Sequence, residues 1–123
     1  MKEVSSVSII SDTHGLIDAH IINYLKNTDV IIHAGDICST KIISDLYEYC
    51  DQVYIVAGNN DIPEKYDDPK DKKIISRLKK SQTFQINNHI VSVEHGDRFG
   101  HHANHNELRK SYPDARLIIY GHT

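Results

Sequence analysis

The sequence predicts a single α/β domain built from parallel strand–helix–strand units. Apolar runs rich in Val and Ile alternate with helical patterns through the first half of the chain, and each run ends at a cluster of Gly and Asp. This alternation is typical of parallel βαβ units with right-handed crossovers. The 123 residues correspond to one domain, over 1–123, because a chain of this length buries roughly two thirds of its unfolded surface without disulfides.

Three strands and two helices are predicted in the first half. The strands cover Val7–Ile10, Asp29–Ala34 and Gln52–Val56. Apolar residues at helical spacing predict a helix over 17–25, between the first two strands. Ser39 or Thr40 is expected to cap a second helix. The apolar face of that helix comprises Ile42, Ile43, Leu46 and Tyr47.

The second half is less regular. A polar loop is predicted over 63–69, followed by a short helix over 72–80. Two strands on either side of Asn87 and Asn88 predict a hairpin, since paired Asn residues favour a tight turn. Asn104 is expected to cap a brief helix, and a final strand is predicted over 116–120.

Composition excludes several classes of protein. There are 14 basic and 17 acidic residues, so the net charge is −3 and no cationic field draws the chain to nucleic acid or membrane. Cys38 and Cys50 are expected to be reduced thiols. The longest apolar runs fall short of the roughly 20 residues that span a bilayer. The N-terminus lacks a signal-type core, so a cytoplasmic location is expected.

Chemically useful side chains recur where the predicted strands end. Parallel strands deliver their carboxyl ends to one edge of a sheet, where ligands bind in α/β folds. The candidates at that edge are oxygen and nitrogen donors: Asp12, His14, Asp36, Asn59, His95 and His122. Six ligands are too many for one tetrahedral structural zinc. They suit two adjacent divalent ions that share a carboxylate, an arrangement that can hold a hydroxide and clamp an in-line displacement at phosphorus.

The same residues carry a family resemblance. The motifs, in order, are Asp12-Thr13-His14, Gly35-Asp36, Gly58-Asn59-Asn60-Asp61, His95-Gly96 and Gly121-His122-Thr123. They resemble the signature of the calcineurin-like metallophosphoesterases, and the residues flanking the second and fourth motifs are most similar to the small bacterial and archaeal phosphodiesterase branch.

This resemblance implies a fold, a ligand set and a reaction. The fold is a two-sheet β-sandwich flanked by helices in four layers. Asp12 and His14 would bind a first metal, Asp36 would bridge both, and the second would take Asn59, His95 and His122. Manganese, iron, zinc and nickel all suit these donors. The reaction would be phosphodiester hydrolysis, with a metal-bridging hydroxide attacking phosphorus.

Two departures from the family pattern matter. Many relatives carry a proton-donating histidine where this chain has Asn60, beside Asp61. Asn60 and Asp61 are the candidate catalytic residues; Asn60 can donate a hydrogen bond to a phosphoryl oxygen but cannot supply a proton. The family motif also continues Gly-His-x-His, whereas the sequence stops at Thr123. The resemblance therefore leads us to expect a chain truncated at its C-terminus, without the last histidine ligand and the final strands.

The resemblance leaves a second function open. The retromer's phosphoesterase-fold subunit also resembles this family, so a protein-interaction scaffold is the alternative to an enzyme. A phosphate ester is the expected partner. Nucleic acid is expected only as a phosphodiester substrate, a membrane is not expected, and self-association is an option.

Two further features of the sequence have alternative interpretations. A basic segment over 65–80 would attract anionic substrate or simply be solvated. Three loop histidines could contact substrate or stand in for the missing acid: His101, His102 and His105.

Overall fold

The computed structural model describes residues 3–102 and 104–122, so Thr123 of the last motif lies outside the described residues. The strands are β1 (Val7–Ile10), β2 (Val30–His33), β3 (Val53–Ile55), β4 (Ser81–Ile86), β5 (His89–Glu94) and β6 (Leu117–Ile119). The helices are α1 (Ala19–Leu25), α2 (Thr40–Tyr49), α3 (Pro69–Ser76) and α4 (His105–Ser111). Within these ranges, no helix is long and apolar enough to cross a membrane.

Two three-stranded sheets form the framework. The first has the order β1-β2-β3, and all of its strands are parallel. The second has the order β4-β5-β6, in which β4 and β5 are antiparallel while β5 and β6 are parallel. The predicted α/β class with two sheets flanked by helices is confirmed, and three βαβ units run through α1, α2 and α4.

Two apolar layers hold the framework together. One lies between the sheets and contains Val30, Ile32, Ala34, Val56, Val91, Val93 and Ile119. Tyr54 stacks on Phe84 across the same gap, with ring centroids 3.6 Å apart. The other lies between the first sheet and α1–α3 and contains Leu25, Ile31, Ile37, Ile42, Ile43, Leu46 and Ile75. Strand β2 is buried on both faces, which explains the run of three apolar residues, Val30-Ile31-Ile32, before His33.

The third helix begins and ends earlier than the sequence predicted. It starts at Pro69 because the side chain of Asp68 accepts from the amide of Lys70, and proline suits the first helical position. It ends at Ser76, and Lys79 then pairs with Val56 in an isolated parallel bridge. The predicted helix over 72–80 was therefore wrong in its bounds. The predicted last turn included Lys79, which instead pairs with Val56.

Candidate metal centre

The loops that follow the strands are hydrogen-bonded to one another at one edge of the molecule. The amide of Asp12 donates to the carbonyl of Gly35 at 2.8 Å, and the amide of His14 donates to that of Asp36 at 3.0 Å. On the second sheet, the amide of Gly121 donates to the carbonyl of His95 at 3.0 Å. These bonds fix the predicted ligands relative to each other before any side chain is considered.

Five of the six predicted ligands come together in two groups. The side chains of Asp12, His14 and Asp36 form one group, and those of Asp36, His95 and His122 form the other. Within each group the candidate ligand atoms all lie within 4.8 Å of one another. Asp36 belongs to both groups and is almost completely buried. A carboxylate has two oxygens, so this position suits a ligand shared by two cations.

The tautomer of His95 can be assigned from its contacts. Its Nδ1 lies 2.8 Å from the carbonyl oxygen of Ala34, which can only accept, so Nδ1 carries the proton. In the neutral ring Nε2 then presents a lone pair. Nε2 is buried and has no hydrogen-bond partner among the described residues, and it lies 3.3 Å from Asp36 Oδ2 and 3.7 Å from Asp12 Oδ1. A lone pair facing two carboxylates is the donor set that a metal ion satisfies.

Asp12 is held by contacts from both sheets. Its Oδ2 accepts from the hydroxyl of Ser11 and, at 3.1 Å, from the amide of His122. His14 is more exposed, and its Nε2 lies 3.7 Å from Asp36 Oδ2. The first group is therefore the more open of the two, since His95 in the second is fully buried.

Backbone strain is concentrated at the same edge. Among the described non-glycine residues, positive φ occurs at the two turn residues Asn87 and Asn88 and at five site residues, namely Asp12, His14, Asp36, Cys38 and His122. Left-handed backbone is uncommon outside glycine and persists only where the surroundings enforce it. Four of the six predicted ligands adopt it, which sets them apart from the rest of the fold.

Asn60 is a direct neighbour of the shared carboxylate. Its amide donates to Asp36 Oδ1 at 2.9 Å, and its Nδ2 donates to Asp36 Oδ2 at 2.8 Å. Burial alone would raise the pKa of the Asp36 carboxyl. The two bonds from Asn60 are the main effects in the opposite direction, and on balance that pKa is lowered. Asp36 is thus kept as an anion ready to bind cations.

Asp61 and Asn59 occupy different settings from Asn60. The buried carboxylate of Asp61 accepts from the amides of Ile37, Cys38 and Gly58, at 2.8–3.2 Å. These bonds tie the loop after β3 to the loop that carries Asp36. The side chain of Asn59 is exposed and makes no hydrogen bond to the described residues. The ligand role of Asn59 and the catalytic roles of Asn60 and Asp61 stay predictions.

His33 supports the site from beneath. It is fully buried at the end of β2, where its Nδ1 accepts from the amide of Gly35 and its Nε2 lies 3.0 Å from the hydroxyl of Thr13. Burial lowers the pKa of His33 to about 4, against a smaller opposing effect of the Asp61 and Asp12 carboxylates. A neutral ring therefore joins the first two ligand loops. This is the structural hydrogen bond expected for a histidine in a buried strand.

Sequence reasoning missed one contact at the rim. The ammonium of Lys65 donates to Asn60 Oδ1 at 2.6 Å. The composition shows that the segment 65–80 is basic, but it does not show where any of its side chains points.

Two of the loop histidines lie beside residues that follow the last strand. His101 lies beside His122 with ring centroids 6.4 Å apart, while His105 Nε2 contacts the hydroxyl of Tyr120 at 2.6 Å.

The fold and this centre agree with a known family. The pattern of the calcineurin-like phosphoesterase superfamily domain matches residues 6–123, and the chain belongs to this family. A Mycoplasma pneumoniae protein named as a probable metallophosphoesterase is 40% identical over 60 residues, which cover 48% of this chain and 35% of that protein.

Solved structures share the architecture. Vacuolar Protein Sorting 29 from Cryptosporidium parvum superposes with a TM-score of 0.77 and 19% identity, over 99% of this chain and 66% of that one. An archaeal phosphodiesterase superposes with a TM-score of 0.63 and 23% identity, over 94% of this chain and 72% of that one. At this identity the likeness shows the fold alone. The chain spans about a third of the curated relative and about two thirds of the first of these structures.

Proposed function

We propose that this protein is a metal-dependent phosphoesterase with two divalent ions per chain, acting on phosphodiesters. The observation that carries the proposal is the shared position of Asp36 in both ligand groups. The Nε2 of His95, which faces Asp36 and has no hydrogen-bond partner in the described part of the chain, supports it. Family membership independently favours phosphate-ester chemistry. A cytoplasmic location stays an expectation from the sequence.

The residues of the chain have distinct proposed roles. Asp12, His14 and Asp36 would hold one ion, while Asp36, His95 and His122, with Asn59 from the neighbouring loop, would hold the other. Bound ions would supply an activated water and stabilise negative charge on the phosphoryl group. Manganese, iron, zinc and nickel remain candidates, because carboxylate and imidazole donors suit them all.

Asn60 and Asp61 would support the reaction without transferring a proton. An amide nitrogen has two N–H donors, and Asn60 uses one on Asp36, so the other can be offered to a phosphoryl oxygen. Asp61 acts as a positioning residue, since its hydrogen bonds run to backbone amides of the two ligand loops. With no acid at position 60, esters with good leaving groups should react best.

Substrate preference tests this proposal. Metal-loaded protein should cleave an activated aryl phosphodiester far faster than an alkyl phosphate monoester. A well-placed general acid is worth roughly 10²–10⁴ in rate, so Asn60→His should raise monoester turnover. Asn23→His, at an exposed position of α1, serves as the control and should change neither rate. Comparable native turnover of both esters would contradict the account, and His101 would then be the first candidate acid.

A scaffold is the second candidate function. It is favoured by exposed apolar side chains: Leu16 in the loop after β1, Tyr24 on α1, and Val7, Ile9 and Leu117 on the inner face of the sandwich. Such surface can bind another protein or a second copy of this chain. Metal content together with turnover of a generic diester separates the two functions, because a pure scaffold needs neither ions nor turnover. Light scattering at several protein concentrations would test self-association.

A further inference from the structure

Lys65 lies at the entrance of the metal centre. Its Nζ donates to Asn60 Oδ1 at 2.6 Å, and the side chain is otherwise exposed. Asn60 in turn donates from Nδ2 to Asp36 Oδ2 at 2.8 Å. An ammonium group is thus two hydrogen bonds away from the carboxylate that both ligand groups share.

The backbone around Lys65 is fixed. It ends a short 3₁₀ turn over Pro63–Lys65, in which the amide of Lys65 donates to the carbonyl of Ile62 at 3.2 Å. On one side the buried Asp61 anchors the loop through backbone amides, and on the other the ring of Tyr66 packs against the helix-side core. Lys65 therefore projects from a rigid base, while its long side chain can move.

The charge of Lys65 is available to a ligand. An ammonium has three N–H donors, and among the described residues only Asn60 accepts from it. Because that acceptor is a neutral amide, Lys65 forms no direct ion pair with a carboxylate of the described residues. Its charge is therefore not neutralised by direct contact. An anion bound beside Asp36 and Asn60 would therefore lie near an ammonium whose charge is not balanced by direct contact.

We propose that Lys65 binds the phosphoryl group of the ester, exchanging its bond to Asn60 for a bond to a nonbridging phosphate oxygen. The inference rests on the proposed function and extends it by a specific substrate contact. The new bond would join an ammonium to an anion, whereas the bond to Asn60 joins the ammonium to a neutral amide, so the exchange gains the attraction between opposite charges. Asn60, released from Lys65, keeps its two hydrogen bonds to Asp36, one from the backbone amide and one from Nδ2.

Other lysines of the basic segment provide the control. Lys70 is exposed in the first turn of α3, and its ammonium makes no hydrogen bond or ion pair in the described part of the chain. Lys65→Met and Lys70→Met remove the same charge from the same segment. A general field effect would weaken anion binding equally in both variants, whereas a direct contact would affect only the first.

The test measures the affinity of metal-loaded protein for inorganic phosphate, together with KM and kcat for the aryl diester. Lys65→Met should weaken phosphate binding and raise KM by about tenfold, because one charged hydrogen bond is lost. The metal content and kcat should change little. Lys65→Arg should recover most of the affinity, and Lys70→Met should stay within about twofold of the native protein at moderate ionic strength.

Two results would overturn the contact. One is equal phosphate affinity in the Lys65→Met and Lys70→Met variants, and the other is native protein that binds no phosphate. Failure of the proposed function looks different: the native protein would bind metals and phosphate yet turn over no ester. In that case a Lys65-dependent phosphate affinity would still establish the anion site.

Discussion

At the scale of single residues, hydrogen bonds to the backbone decide which atoms face the centre. Ala34 fixes the proton of His95 on Nδ1, and Gly35 donates to Nδ1 of His33, so these two buried rings present opposite tautomers. One ring is thereby left with a lone pair for a cation. The neutral ring of His33 instead connects two loops through its contacts with Gly35 and Thr13.

The neutral state of His33 predicts a stability change with pH. Its pKa is about 4 in the fold and 6.5 in the unfolded chain, so between these values only the unfolded chain binds the proton. Stability therefore falls as pH drops from 6.5 to 4, by about 3 kcal/mol from this residue.

Urea denaturation of metal-free protein at several pH values measures this loss. His33→Gln keeps an acceptor and a donor but cannot titrate, so its stability should fall less steeply over the same range. His89→Gln, in an exposed position at the start of β5, is the matched control and should follow the native protein. Identical pH slopes for native protein and His33→Gln would show that His33 is not held neutral.

Much of the centre could be predicted at this scale. Asp12, His14 and Asp36 were found because each follows a strand, and strand ends meet at one edge. The bond from Lys65 to Asn60 and the tautomer of His95 could not be found in this way, since both depend on side-chain directions that spacing does not encode.

At the scale of elements, the loops that carry the candidate ligands lie so close together that two of their positions, Gly35 and Gly58, have no room for a side chain. A Cβ atom at Gly58 would overlap the carboxylate of Asp36, and one at Gly35 would lie 2.7 Å from Nδ1 of His95. Contacts this short do not occur in relaxed structures. The Gly residues of the motifs therefore serve close packing of the loops after β2, β3 and β5 as well as turning.

Gly58→Ala should disturb the centre more than the fold. The added methyl displaces Asp36, so metal affinity should fall by at least about tenfold, with about 1–3 kcal/mol of stability lost to overpacking. Gly100→Ala is the comparison, because no atom of the described residues lies within 4 Å of the Cβ it would add, whereas the positive φ of Gly100 opposes the change. Calorimetric metal titration and thermal unfolding of both variants separate these effects. Equal metal affinities would contradict the close approach.

Asp61 is expected to contribute to the stability of the fold more than to the reaction itself. Asp61→Ala leaves the amides of Ile37, Cys38 and Gly58 without their acceptor, which should reduce the free energy of unfolding by about 3 kcal/mol or more. Hydrogen exchange at those amides should accelerate. Asp51→Ala, at an exposed loop position, should have almost no effect. Native exchange rates in Asp61→Ala would refute the anchoring role.

The bounds of α3 show where local patterns fail. The apolar spacing over 72–80 indicated a helix, but the Asp68 cap and Pro69 start it earlier and the bridge to Val56 removes its end. The hairpin, by contrast, followed from sequence alone. Its Asn87 and Asn88 both adopt the positive φ that the tight turn requires.

At the scale of the whole molecule, the first sheet separates two apolar layers that should unfold together if the chain is one domain. Ile32 lies in the layer between the sheets and Leu46 in the layer beneath the helices, and both are fully buried. Ile32→Ala and Leu46→Ala should each remove about 2–5 kcal/mol. Circular dichroism and tyrosine fluorescence should report one coincident transition in each variant. Separate transitions would divide the chain into two units.

The central claim is that Asp36 is shared by two ions, and metal stoichiometry tests it most directly. Elemental analysis should give two ions per chain for native protein and for Asp45→Asn, a carboxylate change in α2 paired with Lys41. His14→Ala should lose one ion, because His14 belongs to one group only. Asp36→Asn keeps the shape and tolerates the left-handed backbone, yet should bind neither ion tightly. An Asp36→Asn protein that retains two ions per chain would contradict the account.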